Sequence, residues 1–446
     1  MKLFLEIAWR NIWRNYQRSL IMIAGISVGL FGLLVYHGFS NGWIIEMVET
    51  SIEVELGHLQ VYREGYPENP VPGNSFDMDS ALIASLKASP GVKTIAPRFK
   101  AAVLVSSAEK SGRLELVGID PLLESLSTII AASVDSGAYL QPGDNRKIVL
   151  GGALAQRLGV NLGEKVVVMA QDRNNELQSY LFRVGGLFNS SSPAYDKMAA
   201  FVTLDAMYSL LGQQGTLTSV VIRVDEGAQV DSVVAVLHRS VIDSLNAIPW
   251  WDLPSSVIRD GEDGRIETAG AMLRPNVIAG RPALRVDPWW EVSKLLGKMI
   301  EMFNSFVWVF YAIIYLAMAF GVVNILLMSV IERTHELGVM RAVGTSPGQV
   351  MIMVLLESAL LGLMGIVAGG GSAWLVNNYL ETHGIDLSYW SSAMSYMGLS
   401  NVIHSKIYPS HWAIAFISAE AAVMLAAIWP AWRAGRLRPV EAIHFE

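Results

Sequence analysis

A phosphate-binding loop would be the clearest chemical signature in this sequence, and glycines do lie near a lysine in the run LGVNLGEK. Gly159 and Gly163 precede Lys165, but the run lacks the G-x-x-x-x-G-K-[ST] spacing that lets backbone N–H groups cradle phosphates. The eight His residues form no H-x-x-H or H-E-x-x-H pair, there is no Cys, and no Ser lies in a G-x-S-x-G elbow. The sequence therefore predicts no metal site, no bound cofactor and no ATPase or hydrolase centre in this chain.

Two acids interrupt long apolar runs. Glu357 and Glu420 each lie in a stretch that is otherwise apolar, and an ionised acid facing lipid costs a few kcal/mol. We therefore expect both to face other helices or to lie near the membrane interface; Glu357 is only seven residues from Val350, so an interfacial acid is the alternative for it. Gly365 and Gly369 give the same run a small-residue face for packing against a neighbour, which we expect to be a second subunit.

A short charged segment, IERTHELGVMRAVGTSPGQV, separates two of the apolar runs. Its composition predicts a helix over 332–343 that is stopped by Gly344, with a restart at Ser346 as N-cap and Pro347 at N1. Such a stiff segment between two membrane helices can move only with them, which suits it to pass motion from a cytosolic partner into the spans. As a plain connecting loop it would need no helix.

The composition indicates what kind of elements carry these residues. With 52% hydrophobic and 16% charged residues and a mean hydropathy of +0.38, the chain is a membrane protein. A bilayer core about 30 Å thick needs about 20 apolar residues, and four runs qualify: 20–40, 302–331, 350–380 and 412–432. A cleaved signal peptide is the alternative for the first run, but a long segment precedes it and no A-x-A site follows. The net charge of −7 argues against nucleic acid as a partner.

Basic residues near the run ends predict the orientation. They are Lys2, Arg10, Arg14 and Arg18 before the first run, Arg333 and Arg341 between the second and third, and Arg433, Arg436 and Arg438 after the fourth. Both termini, the segment 332–349 and the tail 433–446 should then be cytoplasmic, while 41–301 and the loop 381–411 lie on the opposite side of the membrane; the family resemblance described below implies that this side is the periplasm and the membrane a bacterial inner membrane. Residues 1–19 predict an amphipathic helix at the lipid surface; a basic flank that only sets topology is the alternative.

The large segment 41–301 predicts an α+β domain. A strand–helix–strand unit begins with GHLQVYREG and ends in the β-rich run Phe99 to Ser106, and a second begins with SVVIRVDEG. We expect the two units to pair in one lobe, 43–110 with 215–295, and the segment 111–214 to form an inserted, mostly antiparallel β-rich lobe. Residues 248–287 have no clear period.

Four segments resemble a known family. MKLFLEIAWRNIWRNYQRSLI, ERTHELGVMRAVGTSPGQV, LLESALLGLMGIVAGG and PAWRAGRLRPVEAI closely resemble the permease subunits of the MacB and lipoprotein-releasing (LolC, LolE) type, the FtsX-like permeases of ABC systems. The resemblance covers the whole chain, and the charged segment and the C-terminal run are its specific parts. It implies a fold of four transmembrane helices plus an α+β periplasmic domain, in which a split Porter-like lobe carries the inserted β-rich Sabre-like lobe.

The resemblance also implies partners. Two permease subunits, identical or homologous, would pair in the membrane lipid, and each would dock one ABC ATPase subunit that binds ATP and Mg, so that this chain is not itself an enzyme. The docking segment would be the coupling helix, with Leu337, Met340 and Val343 as its apolar contact and Glu336 and Arg341 at the rim. Its residues are Glu332, Arg333, Glu336, Leu337, Gly338, Met340, Arg341, Val343 and Gly344.

The family resemblance leaves three functions open. The leading hypothesis is extraction and release of lipoproteins from the inner membrane, with a periplasmic carrier; the alternatives are efflux with a periplasmic adaptor and an FtsX-like signalling scaffold that controls cell-wall hydrolases. In lipoprotein-releasing permeases a periplasmic hairpin forms a hook that captures the carrier. The equivalent loop here is Arg173, Asn174, Asn175 and Glu176, which is short, lacks proline and is typical of a plain turn.

Overall fold

The computed structural model describes residues 2–172, 176–239, 258–260, 266–268, 283–390 and 402–437. The loop residues Arg173, Asn174 and Asn175, most of 248–287 and the tail from residue 438 onward lie outside the described residues. The helices are α1 (Lys2–Arg14), α2 (Tyr16–Ser51), α3 (Ser80–Ala88), α4 (Pro121–Ser127), α5 (Gly152–Leu158), α6 (Pro193–Asp196), α7 (Leu204–Leu211), α8 (Val230–Leu237), α9 (Trp289–Val292), α10 (Lys294–Glu332), α11 (Thr334–Ala342), α12 (Pro347–His383) and α13 (Pro409–Gly435).

The strands are mostly contained in the long segment between α2 and α10. They are β1 (Leu59–Arg63), β2 (Phe76–Asp77), β3 (Val92–Ser106), β4 (Ser111–Ile119), β5 (Val134–Gly137), β6 (Lys147–Gly151), β7 (Lys165–Gln171), β8 (Leu177–Phe188), β9 (Ala199–Thr203), β10 (Thr216–Leu217), β11 (Ser219–Val224), β12 (Ile258–Asp260), β13 (Ile266–Thr268), β14 (Leu284–Pro288), β15 (Ile385–Asp386) and β16 (Val402–Ile403). The chain folds into two compact units. The helical unit is Met1–Glu46, Met299–Tyr389 and Val402–Glu446, and the β-rich unit is Met47–Lys298 and Trp390–Asn401.

Among the described residues, four helices are long and apolar enough to cross a membrane: Tyr16–Leu56, Lys294–Glu332, Pro347–His383 and Pro409–Gly435. All exceed the roughly 20 residues that a bilayer core requires. Each also exceeds its apolar run in the sequence. The first long helix continues beyond the apolar run 20–40, since α2 runs to Ser51 and a π-helical turn follows it over Ile52–Leu56.

The N-terminal segment also differs from the expected single amphipathic helix over 1–19. It divides at Asn15, with α1 ending at Arg14 and the first long helix already beginning at Tyr16. Ile12 of α1 is buried with Met22 of α2, so α1 packs on the helical unit rather than only lying beside it.

One part of the β-rich unit is a four-stranded antiparallel sheet in the order β14–β1–β11–β3. Helices α3 and α8 pack on it through Leu82, Leu86, Val233 and Leu237, which are buried against strand residues such as Ile222. The two strand–helix–strand units expected from the sequence thus pair in one α+β lobe.

The inserted segment forms a closed ring of six strands, β3–β4–β9–β6–β8–β7, in which β7 pairs back to β3. Four of these pairs are antiparallel, and β4–β9 and β6–β8 are parallel. The ring encloses a core of alternating residues, with α5 and α7 contributing Leu154 and Met207. The predicted fold class, four membrane helices plus an α+β domain with a β-rich insertion, is confirmed; the two lobes share the 15-residue strand β3, because it belongs to both sheets.

Candidate functional site

The connecting helix α11 lies between the second and third long helices. It covers nine residues, Thr334–Ala342, and the chain then turns at Gly344, whose φ of +108° is in the left-handed region that favours glycine. Ser346 begins α12 with a capping box: its hydroxyl accepts from the Gln349 backbone N–H at 3.3 Å, and the Gln349 side chain accepts from the Ser346 N–H at 2.8 Å. The segment is therefore a defined helix with a defined restart.

The inner face of α11 packs on the helical unit. Leu337 is only 3% exposed and lies in a cluster with Val330, Val350 and Met353, against which Met340 is also partly buried. The expectation that Leu337 forms an apolar contact with a partner is wrong, because its side chain is already covered by the ends of α10 and α12. Met340 offers only part of its surface for the same reason.

The outer face of α11 carries two exposed apolar side chains. Val339 is 42% exposed and Val343 is 83% exposed, and residues four apart lie on one side of a helix. Arg341 is half-buried beside them, and its Nε has no hydrogen-bond partner among the described residues. Val339 and Val343 form what we call the outer face.

A buried ion pair ties α11 to the third long helix. Arg333, which immediately precedes α11, donates from Nη1 to both carboxylate oxygens of Glu357 at 3.0 Å each. Both residues are 8% exposed, so the Glu357 side chain is buried against its neighbours. Removing either partner would leave a buried charge without its counter-ion, which is strongly destabilising.

Two further ion pairs, which sequence reasoning missed, link the N-terminal helices to α11 and to the end of α10. Arg14 contacts Glu336 at 2.5 Å, and Arg18 contacts Glu332. The signal was present, since the two arginines and the two glutamates each have a spacing of four residues. Exposed pairs contribute little to stability individually, but the first places α1 against the connecting helix and the second places the start of α2 against the end of α10.

One face of α1 packs on the rest of the helical unit, and the other face is exposed. Ala8 and Ile12 are buried, whereas Trp9 and Trp13 are each about half exposed and pack edge to face with ring centroids 5.9 Å apart. Exposed tryptophans beside basic residues are typical of a helix in the lipid headgroup region.

The glycine face of α12 packs inside the chain. A Cβ at Gly369 would lie 2.6 Å from the backbone oxygen of Ser27, and one at Gly365 would lie 2.7 Å from the side chain of Ile26. The Ser27 hydroxyl also donates to the Gly365 carbonyl at 3.0 Å. The neighbour of Gly365 and Gly369 is therefore α2 of the same chain, and the expectation that they contact a second subunit is wrong, because α2 already covers them.

Glu420 is a residue of α13, and its side chain faces α12. One of its carboxylate oxygens approaches Gly362 so closely that a Cβ there would be 2.5 Å away, and that oxygen has no hydrogen-bond partner among the described residues. The carboxylate lines a cavity of about 770 Å³ that is otherwise apolar, with Trp374, Trp412 and Phe416 among its walls. The Glu420 side chain thus lies against α12.

The loop expected to replace the hook is described only at its base. Gln171 and Leu177 are paired across β7 and β8, the Asp172 N–H donates to the Glu176 carbonyl at 2.9 Å, and the Glu176 N–H donates to the Asp172 carboxylate at 2.9 Å. Glu176 therefore belongs to the closing pair of the hairpin. Elsewhere, the part of the chain that the structure describes brings no three His, Asp or Glu side chains together at a metal site.

Comparisons with known proteins identify both parts of the chain. The MacB-like periplasmic core domain model matches residues 19–239 and the FtsX-like permease C-terminal model matches residues 308–439. The lipoprotein-releasing system transmembrane protein LolC of Xylella fastidiosa strain Temecula1 is 24% identical over 448 residues, covering 96% of this chain and 94% of that protein. The macrolide export ATP-binding/permease protein MacB of Bdellovibrio bacteriovorus is 23% identical over 80% of this chain and 48% of that protein.

One solved structure is also similar to part of this chain. The extracellular domain of the noncanonic ABC-type transporter YknZ from Gram-positive bacteria is 16% identical, covers 43% of this chain and 96% of that domain, and aligns with a TM-score of 0.33. With a MacB-like periplasmic core followed by an FtsX-like permease region, and with similarity to LolC over almost its full length, this chain belongs to the ABC transporter permeases of the MacB and LolC family.

Proposed function

We propose that this chain is the membrane subunit of an ABC transporter that works with a separate ATPase and releases lipoproteins from the inner membrane. The observation that carries the proposal is the outer face of α11, because Val339 and Val343 are exposed on a helix whose other side is fixed to the spans through Leu337 and the Arg333–Glu357 pair. A partner that binds this face would act on the spans directly.

The proposed arrangement places α11 and both termini in the cytoplasm and the β-rich unit in the periplasm. The basic residues at the ends of the spans support this orientation. Two ATPase subunits, each binding ATP and Mg, would dock on two permease subunits, identical or homologous. Closure of the ATPases on ATP would rock the long helices, and the movement would reach the periplasmic unit without moving substrate through the bilayer.

The choice of lipoproteins rests on similarity to LolC, whose name describes a lipoprotein-releasing system and which this chain matches over 96% of its own length. A soluble periplasmic carrier would then accept the released lipoprotein. The short hairpin between β7 and β8 argues that the carrier docks elsewhere than on a projecting hook.

Reconstitution tests the proposal. Proteoliposomes that contain the chain, its ATPase and a fluorescent triacylated lipoprotein should release the lipoprotein into the soluble fraction only with ATP and a carrier. The matched control is the Val343→Asp variant, in which docking on the outer face is impaired. Lipoprotein that stays in the membrane during ATP hydrolysis would contradict the choice of substrate.

Efflux with a periplasmic adaptor is the second candidate, and similarity to the macrolide exporter MacB favours it. The same proteoliposomes, loaded with a macrolide, distinguish the two. ATP-dependent movement of the macrolide without lipoprotein release would favour efflux.

A further inference from the structure

Near the start of the β-rich unit, the π-helical turn Ile52–Leu56 directly follows α2. This turn is embedded in the unit rather than lying on it. Val54 is 1% exposed in a core with Val117 and Phe201, and the Ile129 N–H donates to the Glu53 carbonyl at 3.1 Å. The first residues after the membrane helix are therefore held by packing and by the backbone.

A buried arginine holds the end of the turn. Arg98 on β3 is fully buried and donates from Nη1 to the Glu55 carbonyl at 2.5 Å, while its Nε and Nη2 donate to the Glu124 carboxylate at 3.0 and 2.6 Å. Burial alone lowers the pKa of Arg98, but the Glu124 carboxylate outweighs it and the net shift is upward, so the guanidinium stays charged. A cation at the carboxyl end of a helical turn satisfies carbonyls that lack partners.

A lysine on the same face of β3 holds the side chain of the same residue. Lys100 lies two positions beyond Arg98, so both point to one side of the strand, and its Nζ contacts Glu55 Oε1 at 2.6 Å and Glu115 Oε2 at 3.2 Å. Burial lowers the pKa of Lys100, but Glu115 and Glu55 together raise it well above its usual value. Glu55 is thus held twice, by its carbonyl and by its carboxylate.

On energetic grounds, such a cluster is better suited to fix the position of the turn than to stabilise the fold. Arg98 and Glu124 are both fully buried; taking such charged groups out of water costs several kcal/mol per ion, and packed apolar side chains of similar volume are often as stable or more stable. Apolar contacts are non-directional, whereas the two-pronged Arg98–Glu124 contact and the paired bonds to Glu55 fix direction as well as distance.

We propose that Glu55, Arg98, Lys100, Glu115 and Glu124 form an ion clamp that fixes the end of the first membrane helix to strand β3 and passes its movement into the β-rich unit. The five are positioning residues and touch no substrate. The transmission role rests on the proposed function, whereas the fixing of the turn can be measured without it.

The first experiment uses the full chain in liposomes without an ATPase. Because the chain has no Cys, the Glu49→Cys, Leu104→Cys pair carries two unique spin labels, and pulsed electron spin resonance gives their distance distribution. We expect a narrow distribution in the parent and a broad one after Lys100→Met or after Arg98→Met with Glu124→Met. The matched control is Lys93→Met, which removes an exposed ion pair with Glu226 from the same strand.

The outcomes separate the clamp from simple folding. Lys100→Arg keeps the charge and should show the narrow distance distribution of the parent. A general loss of structure at this position would instead give a broad distribution in this variant too. If the Arg98, Glu124 double variant fails to fold, the milder Lys100→Met variant decides. A narrow distribution in Lys100→Met overturns the clamp.

The second experiment adds the ATPase and measures lipoprotein released per ATP hydrolysed. In Lys100→Met we expect this ratio to fall about fivefold or more, in the range of coupling between distant sites, with ATP hydrolysis retained. A broad distance distribution with an unchanged ratio overturns the transmission role. No ATP-driven release in the parent contradicts the proposed function and the transmission role with it, while the distance distributions still decide whether the clamp fixes the turn.

Discussion

Arg333 and Glu357 are 24 residues apart in the chain and share one buried contact, in which a single guanidinium nitrogen lies 3.0 Å from each carboxylate oxygen. The contact joins the residue before the connecting helix to a residue in the N-terminal third of α12. A displacement of α11 must therefore either move α12 or separate two buried charges.

Removal of one partner should be far more damaging than removal of both. Glu357→Ala leaves the Arg333 guanidinium buried without a counter-ion, and we expect a loss of about 3 kcal/mol in unfolding free energy. Arg333→Met with Glu357→Met replaces the pair with apolar side chains and should recover most of it. Thermal unfolding in detergent checks this; equal losses in both variants would show that the ion pair is not what holds the two helices.

The outer face of α11 should control docking but not folding. Val343→Asp places a charge on a side chain that is 83% exposed, so the melting temperature should be unchanged. Affinity for the ATPase should fall about tenfold, which corresponds to about 1.4 kcal/mol, as measured by co-purification at graded ATPase concentrations. Leu122→Asp, at an exposed leucine of the β-rich unit, is the control, and equal binding by both variants would leave the outer face without a role.

Two glycines of α12, Gly369 and Gly371, should respond very differently to substitution by leucine. Gly369→Leu forces a side chain against the backbone of Ser27, and we expect a loss of about 3 kcal/mol in the stability of the single chain. Gly371 has no atom within 4 Å of its Cβ position, so Gly371→Leu should cause no loss of stability and should raise it by less than about 1 kcal/mol, because leucine is the better helix former. Tryptophan fluorescence during thermal unfolding gives both values; similar melting of the two variants would contradict the packing of α12 on α2.

The orientation in the membrane has a direct test. Ser191→Cys and Ser346→Cys each give one reactive position in a chain without Cys, and both side chains are exposed. Because the basic clusters predict that they lie on opposite sides, an impermeant maleimide added to intact spheroplasts should label the first and not the second. The reverse pattern would place the β-rich unit in the cytoplasm.

Stability should depend on pH through Asp196. Burial raises the pKa of this carboxyl to about 6, although hydrogen bonds from Ser190 lower it; in the unfolded chain it is about 3.9. Below about pH 4 the group is protonated in both states. Between pH 4 and 6 only the unfolded state ionises, so folding loses about 2–3 kcal/mol in all and no more above pH 6.

Asp196→Asn removes this titration. The difference in melting temperature between the variant and the parent should therefore shift in favour of the variant from pH 4 to pH 6 and then stay constant up to pH 8. A difference that does not change with pH would show that Asp196 titrates normally.

The sequence predicted well what local patterns determine. Four spans follow from composition, and the restart of α12 at Ser346 follows from a serine and a proline in the right order. The strand–helix–strand units follow from periodicity over short windows.

What failed depends on contacts between distant residues. A nine-residue helix with apolar residues on several sides does not reveal which of them is covered, and Leu337 was therefore assigned to the wrong face. The small-residue face of Gly365 and Gly369 predicts a close neighbour but not which helix supplies it. Arg98 lies in an ordinary strand sequence, and its burial becomes visible only when Glu124 is brought opposite.

Strand β3 has a consequence for folding cooperativity. Its 15 residues pair with β11 in the open sheet and with β4 and β7 in the closed ring, so neither lobe can open without losing a strand that the other also needs. The two lobes should therefore melt in one transition, and amide protons in β7 and β11 should exchange with the same free energy of opening. A domain assembled by inserting one fold into another thus behaves, toward heat and toward proteases, as a single foldon.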